Sequence, residues 1–494
     1  MRADGPGAHR SATPTTRGSV IHRSGSAGGG SALMVVVLAA GKGVRMRSRI
    51  PKVLHPVAGR PMLLWAIAAA RPLAPQRTLV VTNPRHDGVQ AALNGEGETV
   101  SQAEQLGTGH AVAQVAPAHR SDGPVLVIYG DMPLLRPETL RRLVETHRER
   151  GPAASVLTSV VDDPTGYGRI VRGRNGLVRA IVEEKDATPE QRQIKEINSG
   201  AICFSGRELW PALARLESRN QAAEFYLTGV VSLLKGKIET VAAADPSEVL
   251  GINDRVQLAE AESILRRRIM EDLMRAGVTI TDPATTYIDA DVKIGPDSTV
   301  HPFSTITGSS LIGEDCVIGP FAQVRDTTIG DGCRVERAHL ERARLGRKVV
   351  VGPFSRLRPG AELEDGVRVG THAEIKNSRL GSGTRVGHFS YIGDTSIGVD
   401  ANIGAGTVTA NWDGFQHQQT VIGDRAQIGS DTILVAPVTV GSDVYTGAGS
   451  VITRDVPAGS LAIERTEQKI VPQWTQRYRA RKRPAPATSE GQRP

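Results

Sequence analysis

The sequence of 494 residues predicts two folded domains of different class, an α/β domain with a Rossmann-like mixed sheet followed by an all-β parallel β-helix of hexapeptide repeats. The α/β domain is predicted by hydrophobic strands that lead into glycine-rich or acidic turns and alternate with helical patterns. The β-helix is predicted by aliphatic residues six positions apart, as in the run Ile288, Ile294, Val300, Ile306, Ile312, Ile318 and Val324. This period is too short for a helical heptad, and it matches a parallel β-helix in which each side points one aliphatic residue inward.

After intervals of five residues the six-residue period resumes, first over residues 351–375 and again over residues 422–440. A glycine often follows the aliphatic residue, as at Gly313 and Gly429, which suits corners where a Cβ atom would clash or where φ must be positive. The alternative is a chance run of β-rich sequence, and a period sustained over so many repeats argues against it.

The charge of the chain is concentrated at its two ends. Residues 1–33 and 473–494 together carry the whole formal net charge of +8, so residues 34–472 are neutral overall. This distribution argues against an extended nucleic-acid-binding face on the folded part. Both ends are polar, and we predict a disordered extension at 1–33 and a basic disordered tail at 473–494. The first segment shares its composition with transit peptides but lacks their amphipathic period, so we favour a disordered extension, or a misassigned upstream start with Met34 as the functional first residue.

Cysteine usage and hydropathy restrict the compartment. The three cysteines, Cys203, Cys316 and Cys333, form no regular framework, which favours the reducing cytoplasm over secretion. No apolar run approaches the roughly 18 residues that a membrane-spanning helix needs. We therefore expect neither a membrane nor a nucleic acid as a partner.

A buried parallel strand is predicted at residues 33–38, and it leads directly into a glycine-rich turn at 39–46. Backbone N–H groups in such a turn can approach a phosphate. The turn fits neither the Walker pattern nor the complete dinucleotide-binding fingerprint. Arg45 and Lys52 can place two cations beside it.

A second predicted strand, residues 125–128, leads into Tyr129, Gly130 and Asp131. A carboxylate at the carboxyl end of a buried parallel strand lies where open α/β sheets bind ligands, so Asp131 is a candidate metal ligand. The alternative for Asp131 is a turn or capping role, because a helix is predicted to start soon afterwards, at Pro137.

Two further segments are informative in the α/β half. The loop at residues 102–110 is polar and interrupted by glycines, which suits contacts with the edge of a base. Residues 253–277 carry apolar residues at a helical period and predict a connecting helix. Asn253 stands at the expected N-cap of this helix, and from the residues alone a capping role for Asn253 is the first interpretation.

A set of short motifs resembles those of the sugar-nucleotide pyrophosphorylases. They are the Leu-Ala-Ala-Gly-x-Gly-x-Arg-Met turn at 38–46, Pro51-Lys52, the 102–110 loop, Gly130-Asp131, and the segments 164–170, 183–186, 196–200, 226–228 and 251–253. With the hexapeptide repeats, the chain is similar over about residues 34–466 to the bacterial bifunctional N-acetylglucosamine-1-phosphate uridyltransferase/glucosamine-1-phosphate N-acetyltransferase family. The resemblance implies a nucleotidyltransferase domain at 34–252, a linker helix at 253–282 and a left-handed β-helix acetyltransferase domain at 283–472.

The resemblance also implies two reactions and their substrates. Acetyl-CoA acetylates glucosamine-1-phosphate, and the resulting N-acetylglucosamine-1-phosphate then reacts with UTP to give UDP-N-acetylglucosamine and pyrophosphate. That product is a precursor of peptidoglycan and lipopolysaccharide. The family pattern further implies a cytoplasmic homotrimer with acetyl-transfer sites between subunits.

Attack of a sugar phosphate on the α-phosphorus of UTP needs alignment and charge neutralisation rather than a general base. By resemblance, Arg45 and Lys52 are catalytic, stabilising the triphosphate and the leaving pyrophosphate, while Asp131 and Asn253 bind Mg²⁺, an ion that takes few protein ligands. The uridine is assigned to Gln102, Gly107 and Thr108, and the acetylated sugar to Gly168, Glu183 and Asn198. The implied substrate contacts of this half also include Leu38, Ala39, Ala40, Gly41, Lys52, Tyr129, Gly130, Asp131 and Asn253.

Acetyl transfer needs a base, because a sugar ammonium has no free lone pair. A lone histidine on a β-helix is usually only solvated, but the Gly-His-x-x-Tyr pattern at His388 resembles that of the family and implies a general base, a role that suits histidine because free imidazole titrates near neutral pH. By resemblance, Arg358 and Lys376 hold the sugar phosphate, and Tyr391 and Asn402 orient the sugar. The implied acetyl-CoA contacts are Ala405, Asn411, Trp412, Ser430, Ala448 and Arg465.

Two residues depart from the family pattern. Trp412 stands where tyrosine is usual, which keeps an aromatic face but loses a hydroxyl. Gly229 stands where aspartate is usual, which removes a carboxylate near the sugar site.

Two other functions fit parts of the sequence. One is a single-activity pyrophosphorylase for another sugar, with the repeats serving only for assembly, and His388, Asn411 and Arg465 argue against it. The other is a pyrophosphorylase-related regulatory scaffold, against which the presence of Arg45, Lys52 and Asp131 argues.

Overall fold

A computed structural model describes residues 32–85, 88–218 and 220–482, and its contacts divide the chain into two compact units. The first, which we call the sheet unit, comprises the described parts of Met1–Gly41, Ala66–Gly130 and Leu135–Val249. The second, which we call the β-helix unit, comprises the described parts of Lys42–Trp65, Asp131–Leu134 and Leu250–Pro494.

The sheet unit is built on one mixed sheet of nine strands. In chain order they are Met34–Leu38 (β1), Arg77–Thr82 (β2), Glu98–Ser101 (β3), Pro124–Tyr129 (β4), Ala154–Val160 (β5), Arg169–Arg172 (β6), Val178–Val182 (β7), Glu196–Ser205 (β8) and Ile238–Ala242 (β9). The spatial order is β9-β5-β8-β4-β1-β2-β3, and β6 joins β8 to β7 outside that path. Strand β1 pairs in parallel with β4 and β2, whereas β8 is antiparallel to both β4 and β5. The predicted Rossmann-like mixed sheet is confirmed.

Both faces of the central strands are covered. Val35, Val36 and Val37 of β1 are fully buried, which is why this strand reads as a continuous apolar run rather than an alternating one. The helices of the described chain are Met62–Ala70 (α1), Val89–Leu93 (α2), Thr108–Ala113 (α3), Pro137–Arg150 (α4), Pro189–Arg192 (α5), Gly206–Leu213 (α6), Leu227–Val231 (α7), Arg255–Arg275 (α8) and Trp474–Lys482 (α9). Short 3-10 turns occupy Val44–Met46, Lys52–Leu54, Arg71–Leu73, Pro117–His119 and Pro246–Val249.

The hexapeptide region forms three parallel sheets, one on each side of a parallel β-helix. The first face contains Thr279–Ile280, Thr299–Val300, Val317–Ile318, Arg334–Val335, Val350–Val351, Arg368–Val369, Arg385–Val386, Asn402–Ile403, Gln427–Ile428, Tyr445–Thr446 and Leu461–Ala462. The second contains Tyr287–Ile288, Thr305–Thr307, Gln323–Arg325, His339–Glu341, Arg356–Leu357, Glu374–Lys376, Tyr391–Gly393, Val408–Ala410, Ile433–Val435 and Val451–Ile452. The third contains Lys293–Ile294, Leu311–Ile312, Thr328–Ile329, Arg344–Leu345, Ala361–Leu363, Ser378–Leu380, Thr395–Ile397, Thr420–Ile422 and Val438–Val440.

The periodic aliphatic residues fill the interior of the β-helix. Val300, Ile306 and Ile318 are completely buried, and the same core continues to Ile452. At Gly313 a Cβ atom would lie 2.9 Å from the backbone nitrogen of Asp331 in the next coil, so stacking of the coils excludes a side chain there. The predicted hexapeptide β-helix is confirmed, and close approach of successive coils accounts for this glycine.

Helix α8 begins one residue later than a cap at Asn253 requires. The side chain of Asp254 accepts hydrogen bonds from the backbone N–H groups of Val256 and Gln257, which makes Asp254 the N-cap. The capping role predicted for Asn253 is therefore wrong, and its side chain is available for other contacts.

Helix α9 lies in the segment for which the sequence predicts a basic disordered tail. Its residues are exposed, and the rings of Trp474 and Tyr478 stack on one side of it with centroids 4.8 Å apart. The rest of that tail, 483–494, and the predicted N-terminal extension up to residue 31 lie outside the described residues. Within the described part of the chain, no helix has both the length and the apolar content needed to cross a bilayer.

Candidate active sites

The turn that follows β1 is held by backbone hydrogen bonds inside the sheet unit. Ala39 donates to the carbonyl of Val81 at 2.8 Å, and Gly130 donates to the carbonyl of Leu38 at 2.9 Å. The side chain of Gln105 donates to the carbonyl of Ala40. The predicted phosphate-binding segment Leu38 to Gly41 is thereby fixed at the carboxyl end of β1, the end at which open α/β sheets bind ligands.

The 102–110 loop is also rigidly organised. Gln102 is buried, and its side-chain amide donates to the carbonyl of Gly107 at 3.1 Å and lies 3.0 Å from Nδ1 of His110. Thr108 Oγ1 accepts from the backbone N–H of Leu227 at 2.9 Å. The structure therefore brings the three predicted uridine contacts, Gln102, Gly107 and Thr108, into one connected loop.

Gly107 is required by its conformation and its surroundings. Its φ is 113°, and a Cβ atom built there would lie 2.6 Å from the carbonyl oxygen and 2.8 Å from the nitrogen of Phe225. Both contacts are with backbone, which cannot rotate away. A side chain at this position must therefore displace the loop.

One of the predicted sugar contacts lines a cavity of about 250 Å³ in the sheet unit, and the other two are connected to it. Glu183 lines this cavity, and Thr228 Oγ1 donates to Glu183 Oε1 at 2.7 Å. Gly168 adjoins the same carboxylate, since a Cβ atom there would lie 3.5 Å from Glu183 Oε2. Asn198 donates its backbone N–H to the carbonyl of Gly168 at 2.8 Å. Gly168, Glu183 and Asn198 are thus brought together.

Two ionisable side chains at this cavity have pKa values above the ordinary ones. Burial raises the pKa of Glu183, and the hydrogen bond from Thr228 opposes that shift. Burial also raises the pKa of Tyr226 to about 12, with the charge of Glu224 adding to the effect. Gly229 lines the cavity as well, so the carboxylate that the family pattern carries at this position is absent from its wall. Thr228 belongs to the motif at 226–228, but no local signal in the sequence identifies it as the partner of Glu183.

A second cluster lies in the β-helix unit and joins three distant segments of the chain. Lys52 Nζ donates to Asp131 Oδ2 and, at 3.1 Å, to Asn253 Oδ1. The side chains of Lys52 and Asp131 are only 13% and 18% exposed. Asn253 is held by its own backbone N–H, which donates to Gln257 Oε1 at 2.7 Å. Arg45 is exposed in the 3-10 turn Val44–Met46 of the same unit.

These residues fit a magnesium ion. One carboxylate oxygen and one amide oxygen converge on a single positive charge, here the Lys52 ammonium. Oxygen ligands of this kind are those that Mg²⁺ prefers, and Mg²⁺ commonly takes only one or two protein carboxylates. Among the described residues, no group of three or more histidine, cysteine, aspartate or glutamate side chains is arranged to hold a metal.

The predicted sugar-phosphate residues of the β-helix occupy equivalent places in neighbouring coils. Leu357 pairs with Ile375, so Arg358 and Lys376 follow one another at the end of the second face. Arg358 Nη1 donates to Glu374 Oε1 at 2.9 Å. Lys376 Nζ lies 3.6 Å from Asp394 Oδ2.

Asp394 organises this end of the second face, and sequence reasoning missed it. Its carboxylate accepts from Asn377 at 2.6 Å and from Asn411 at 2.5 Å, and lies 3.4 Å from Nδ1 of His417. Burial alone would raise the pKa of Asp394, but the two amide hydrogen bonds and the charge of Lys376 outweigh burial and lower it. Aspartates recur at β-helix corners, as at 297, 315 and 431, so no local signal distinguishes Asp394.

His388 lies at the opposite end of the second face, where it begins a column of corner residues. The pairings of Val386 with Ile403 and of Ile403 with Ile428 set the register of this column. Its members are His388, Ala405, Ser430 and Ala448, one in each successive coil. Three backbone hydrogen bonds to the carbonyls of His388, Ala405 and Ser430, of 2.7 to 2.8 Å, tie the column together, and Arg465 Nη1 reaches the carbonyl of Ala448 at 3.4 Å.

The structure does not bring all of the predicted acetyl-transfer residues together within one chain. The His388 side chain is exposed and, among the described residues, makes no hydrogen bond. Asn402 is exposed on the first face. Trp412 stands in the loop that interrupts the repeat before Thr420, is 56% exposed, and packs its ring against His417 with centroids 5.0 Å apart.

Comparisons with known proteins match both halves of the chain. A family model described as a MobA-like NTP transferase domain matches residues 35–231. Two hexapeptide models, a bacterial transferase hexapeptide and a hexapeptide repeat of succinyl-transferase, match residues 419–454 and 311–336. The bifunctional protein GlmU of Streptomyces avermitilis is 47% identical over 465 residues, which cover 92% of this chain and 96% of the relative. The chain belongs to the bifunctional GlmU family.

Other GlmU proteins agree over nearly the same length. That of Syntrophomonas wolfei is 46% identical and aligned over 89% of this chain and 99% of its own. That of Mycobacterium bovis is 47% identical and aligned over 90% and 92%. Family membership confirms the resemblance inferred from the motifs and makes the chain a bifunctional transferase with a nucleotidyltransferase and a hexapeptide acyltransferase domain.

Proposed function

We propose that the two activities of this GlmU family member, uridylyl transfer and acetyl transfer, are performed by the separate residue clusters described above. Acetyl transfer from acetyl-CoA to glucosamine-1-phosphate supplies N-acetylglucosamine-1-phosphate, which reacts with UTP to give UDP-N-acetylglucosamine and pyrophosphate. The observation that carries this proposal is the convergence of Lys52, Asp131 and Asn253, because these side chains supply the charges that phosphate chemistry needs.

Lys52 is the residue that we expect to act on the phosphates. Its ammonium is held by Asp131 and Asn253 and can turn to the oxygens of the triphosphate, where positive charge stabilises the leaving pyrophosphate. Mg²⁺, held by Asp131 and Asn253, supplies further neutralisation of the phosphate oxygens when it is bound. Arg45, exposed in the same unit, adds a second cationic side chain.

The sheet unit supplies recognition of the uridine and the sugar. Gln102 has its amide fixed by Gly107, so its remaining hydrogen-bonding capacity is oriented before a base binds. Glu183 is oriented by Thr228, and as a carboxylate it accepts hydrogen bonds from sugar hydroxyls.

In acetyl transfer, His388 is the proposed base. Its exposed imidazole can take the proton of the attacking amine, and the column of small residues Ala405, Ser430 and Ala448 beside it leaves room for an extended acetyl-CoA. Arg358 and Lys376 are proposed to hold the sugar phosphate.

We further propose that the active form is a homotrimer with acetyl-transfer sites between copies. Support comes from exposed aromatic rings on the corner that carries His388. Phe303 stacks on Phe321 at 5.0 Å, and Phe354, His372 and Phe389 stack at 5.0 and 5.1 Å, while each phenylalanine is between 49% and 65% exposed. Arg337 lies between the two stacks, with its guanidinium 5.0 Å from the Phe321 ring, and exposed aromatic groups of this kind are typical of a protein contact surface.

One assay tests the two activities together. Enzyme supplied with UTP, acetyl-CoA, glucosamine-1-phosphate and Mg²⁺ should form UDP-N-acetylglucosamine, detected by mass spectrometry. Asp131→Ala should stop this product while CoA release continues, whereas Asp122→Ala, which removes an exposed aspartate, should change neither. Formation of UDP-N-acetylglucosamine by Asp131→Ala at the parental rate would contradict the proposal.

A further inference from the structure

A β-hairpin of residues 56–61 lies close in sequence to Lys52 and turns tightly through Ala58 and Gly59. Its strands, Pro56–Val57 and Arg60–Pro61, are antiparallel, and the turn residues Ala58 and Gly59 have φ values of 47° and 78°. Two successive positive φ angles are those of a type I′ turn, the tight turn that suits a two-residue hairpin.

The backbone of Ala58 is bound on both sides by the rest of the β-helix unit. Its N–H donates to Glu262 Oε2 of α8 at 2.6 Å. Its carbonyl accepts from the N–H of Ala290, in the first coil of the β-helix, at 3.0 Å. Because a carboxylate accepts it, the first of these bonds is a charge-assisted hydrogen bond, which is stronger than a bond between neutral groups.

The other side of the turn rests directly on the same coil. A Cβ atom at Gly59 would lie 2.5 Å from Oδ2 and 2.9 Å from Cβ of Asp289. Arg60 Nη2 forms an ion pair with Asp291 Oδ1 at 2.5 Å. The hairpin is therefore fixed between α8 and residues 289–291.

Lys52 is connected to this hairpin by a short, ordered segment. His55 donates its N–H to the carbonyl of Lys52 at 3.2 Å and accepts at its own carbonyl from Met62 at 3.1 Å. Val53 and Val57 are buried. A displacement of the hairpin is therefore passed to Lys52 rather than absorbed by a loose loop.

Helix α8, which binds the hairpin, also holds the two residues that contact Lys52. Asn253 immediately precedes its capping residue, and Ile252 donates to the carbonyl of Asp131 at 3.0 Å. Arg268 of α8 donates to the carbonyl of Leu134 at 2.8 Å, which ties the 131–134 segment to the helix. Leu134, Ile252 and Leu265 share one buried apolar cluster.

We propose that the first coil of the β-helix positions Lys52 for uridylyl transfer, through the contacts of Ala58 with Ala290 and of Gly59 with Asp289. The β-helix then serves both reactions, as the scaffold of acetyl transfer and as a support for the phosphate-binding lysine. Gly59 and Asp289 are positioning residues, because they act through Lys52. This inference rests on the proposed role of Lys52 in uridylyl transfer.

The test uses Gly59→Ala in the full-length chain. The added methyl group meets Asp289, so kcat for uridylyl transfer should fall at least about tenfold, whereas KM for N-acetylglucosamine-1-phosphate and the rate of acetyl transfer should each stay within about twofold. Gly95→Ala is the matched control, because Gly95 has a φ of 86° and no atom within 4 Å of a built Cβ. It carries the same kind of conformational strain without the contact.

Two double variants separate positioning from general damage. Asp289→Gly should restore most of the rate lost in Gly59→Ala, because it removes the atoms that the methyl group meets. In a Lys52→Met background, the residual rate should be insensitive to Gly59→Ala, because both changes act on the same step. If Gly59→Ala does not fold, Glu262→Ala replaces it, and Glu262→Gln should rescue activity because its amide oxygen still accepts the Ala58 N–H.

The outcomes distinguish this inference from the proposed function. Parental activity in Lys52→Met would remove Lys52 from the reaction and overturn both. Loss of activity in Lys52→Met with control-level activity in Gly59→Ala and in Glu262→Ala would overturn the positioning inference alone. A loss in Gly59→Ala that persists unchanged in the Asp289→Gly background and adds fully to Lys52→Met would also overturn it.

Discussion

Gly107→Ala is the most direct test of the uridine loop. The substitution places a methyl group 2.6 Å from the carbonyl oxygen of Phe225, whereas ordinary van der Waals contact begins at about 3.4 Å. The loop must therefore shift by about 0.8 Å, the difference between those two distances. This shift disturbs the bond from Gln102 to the carbonyl of Gly107, which fixes the amide proposed to hold the base.

The magnitude follows from two separate costs. Gly107 has φ 113° and ψ 174°, a region that essentially only glycine adopts, so alanine there is strained by about 1 to 3 kcal/mol, which lowers stability but need not affect binding. Loss of one well-placed hydrogen bond costs about 1 to 1.5 kcal/mol in transition-state binding, roughly a tenfold effect on kcat/KM. We expect kcat/KM for UTP to fall at least about tenfold in Gly107→Ala.

The assay measures pyrophosphate release over a range of UTP concentrations, with CoA release as the internal control. Gly176→Ala is the matched variant, because Gly176 has a φ of 76° and nothing within 4 Å of a built Cβ. It should lose stability without losing affinity for UTP. Equal kcat/KM values for the two variants would refute the reasoning, since conformational strain alone would then explain both.

Three further predictions concern single residues. His388→Ala should lower kcat of acetyl transfer about a hundredfold with little change in KM, because a base acts chiefly in the transition state, and unchanged CoA release would remove His388 as the base. Burial raises the pKa of Glu183, so ionising this carboxyl destabilises the folded state increasingly as pH rises above 4.5, the ordinary pKa of glutamate. The Tm of Glu183→Gln should therefore exceed that of the parent by a margin that widens between about pH 4 and 7. A constant difference in Tm would contradict this. Burial lowers the pKa of His147 from 6.5 to about 4, so about 3 kcal/mol of stability should be lost as pH falls through that range, and His147→Gln, measured by urea unfolding, should flatten the dependence.

The sequence alone predicts those structural features that are set by residues close together in the chain. The six-residue period predicts which side chains are buried in the β-helix, because a strand and its corner repeat the same local geometry in every coil. The apolar run of β1 predicts a doubly covered strand, and the structure buries all five of its residues. The motif resemblance extends this to the family, which the comparisons confirm.

The sequence was misleading or silent where long-range contacts decide. A polar residue before a helix fits a cap, but Asp254 caps α8, and Asn253 meets Lys52 across 201 residues of sequence. Asp394 looks like other corner aspartates, and only stacking of the coils brings Lys376 and Asn411 to it. The site residues remain predictions that the variants above test.

Local periodicity and strand patterning determined the two fold classes and the interior of each, because burial in a strand or a coil is set by positions a few residues apart. The tertiary structure decided which polar side chains converge and at which positions only glycine fits. It also decided which residues hold the functional side chains in place. Those outcomes depend on contacts between segments that are distant in the chain, and the packing of whole elements fixes such contacts rather than any local pattern.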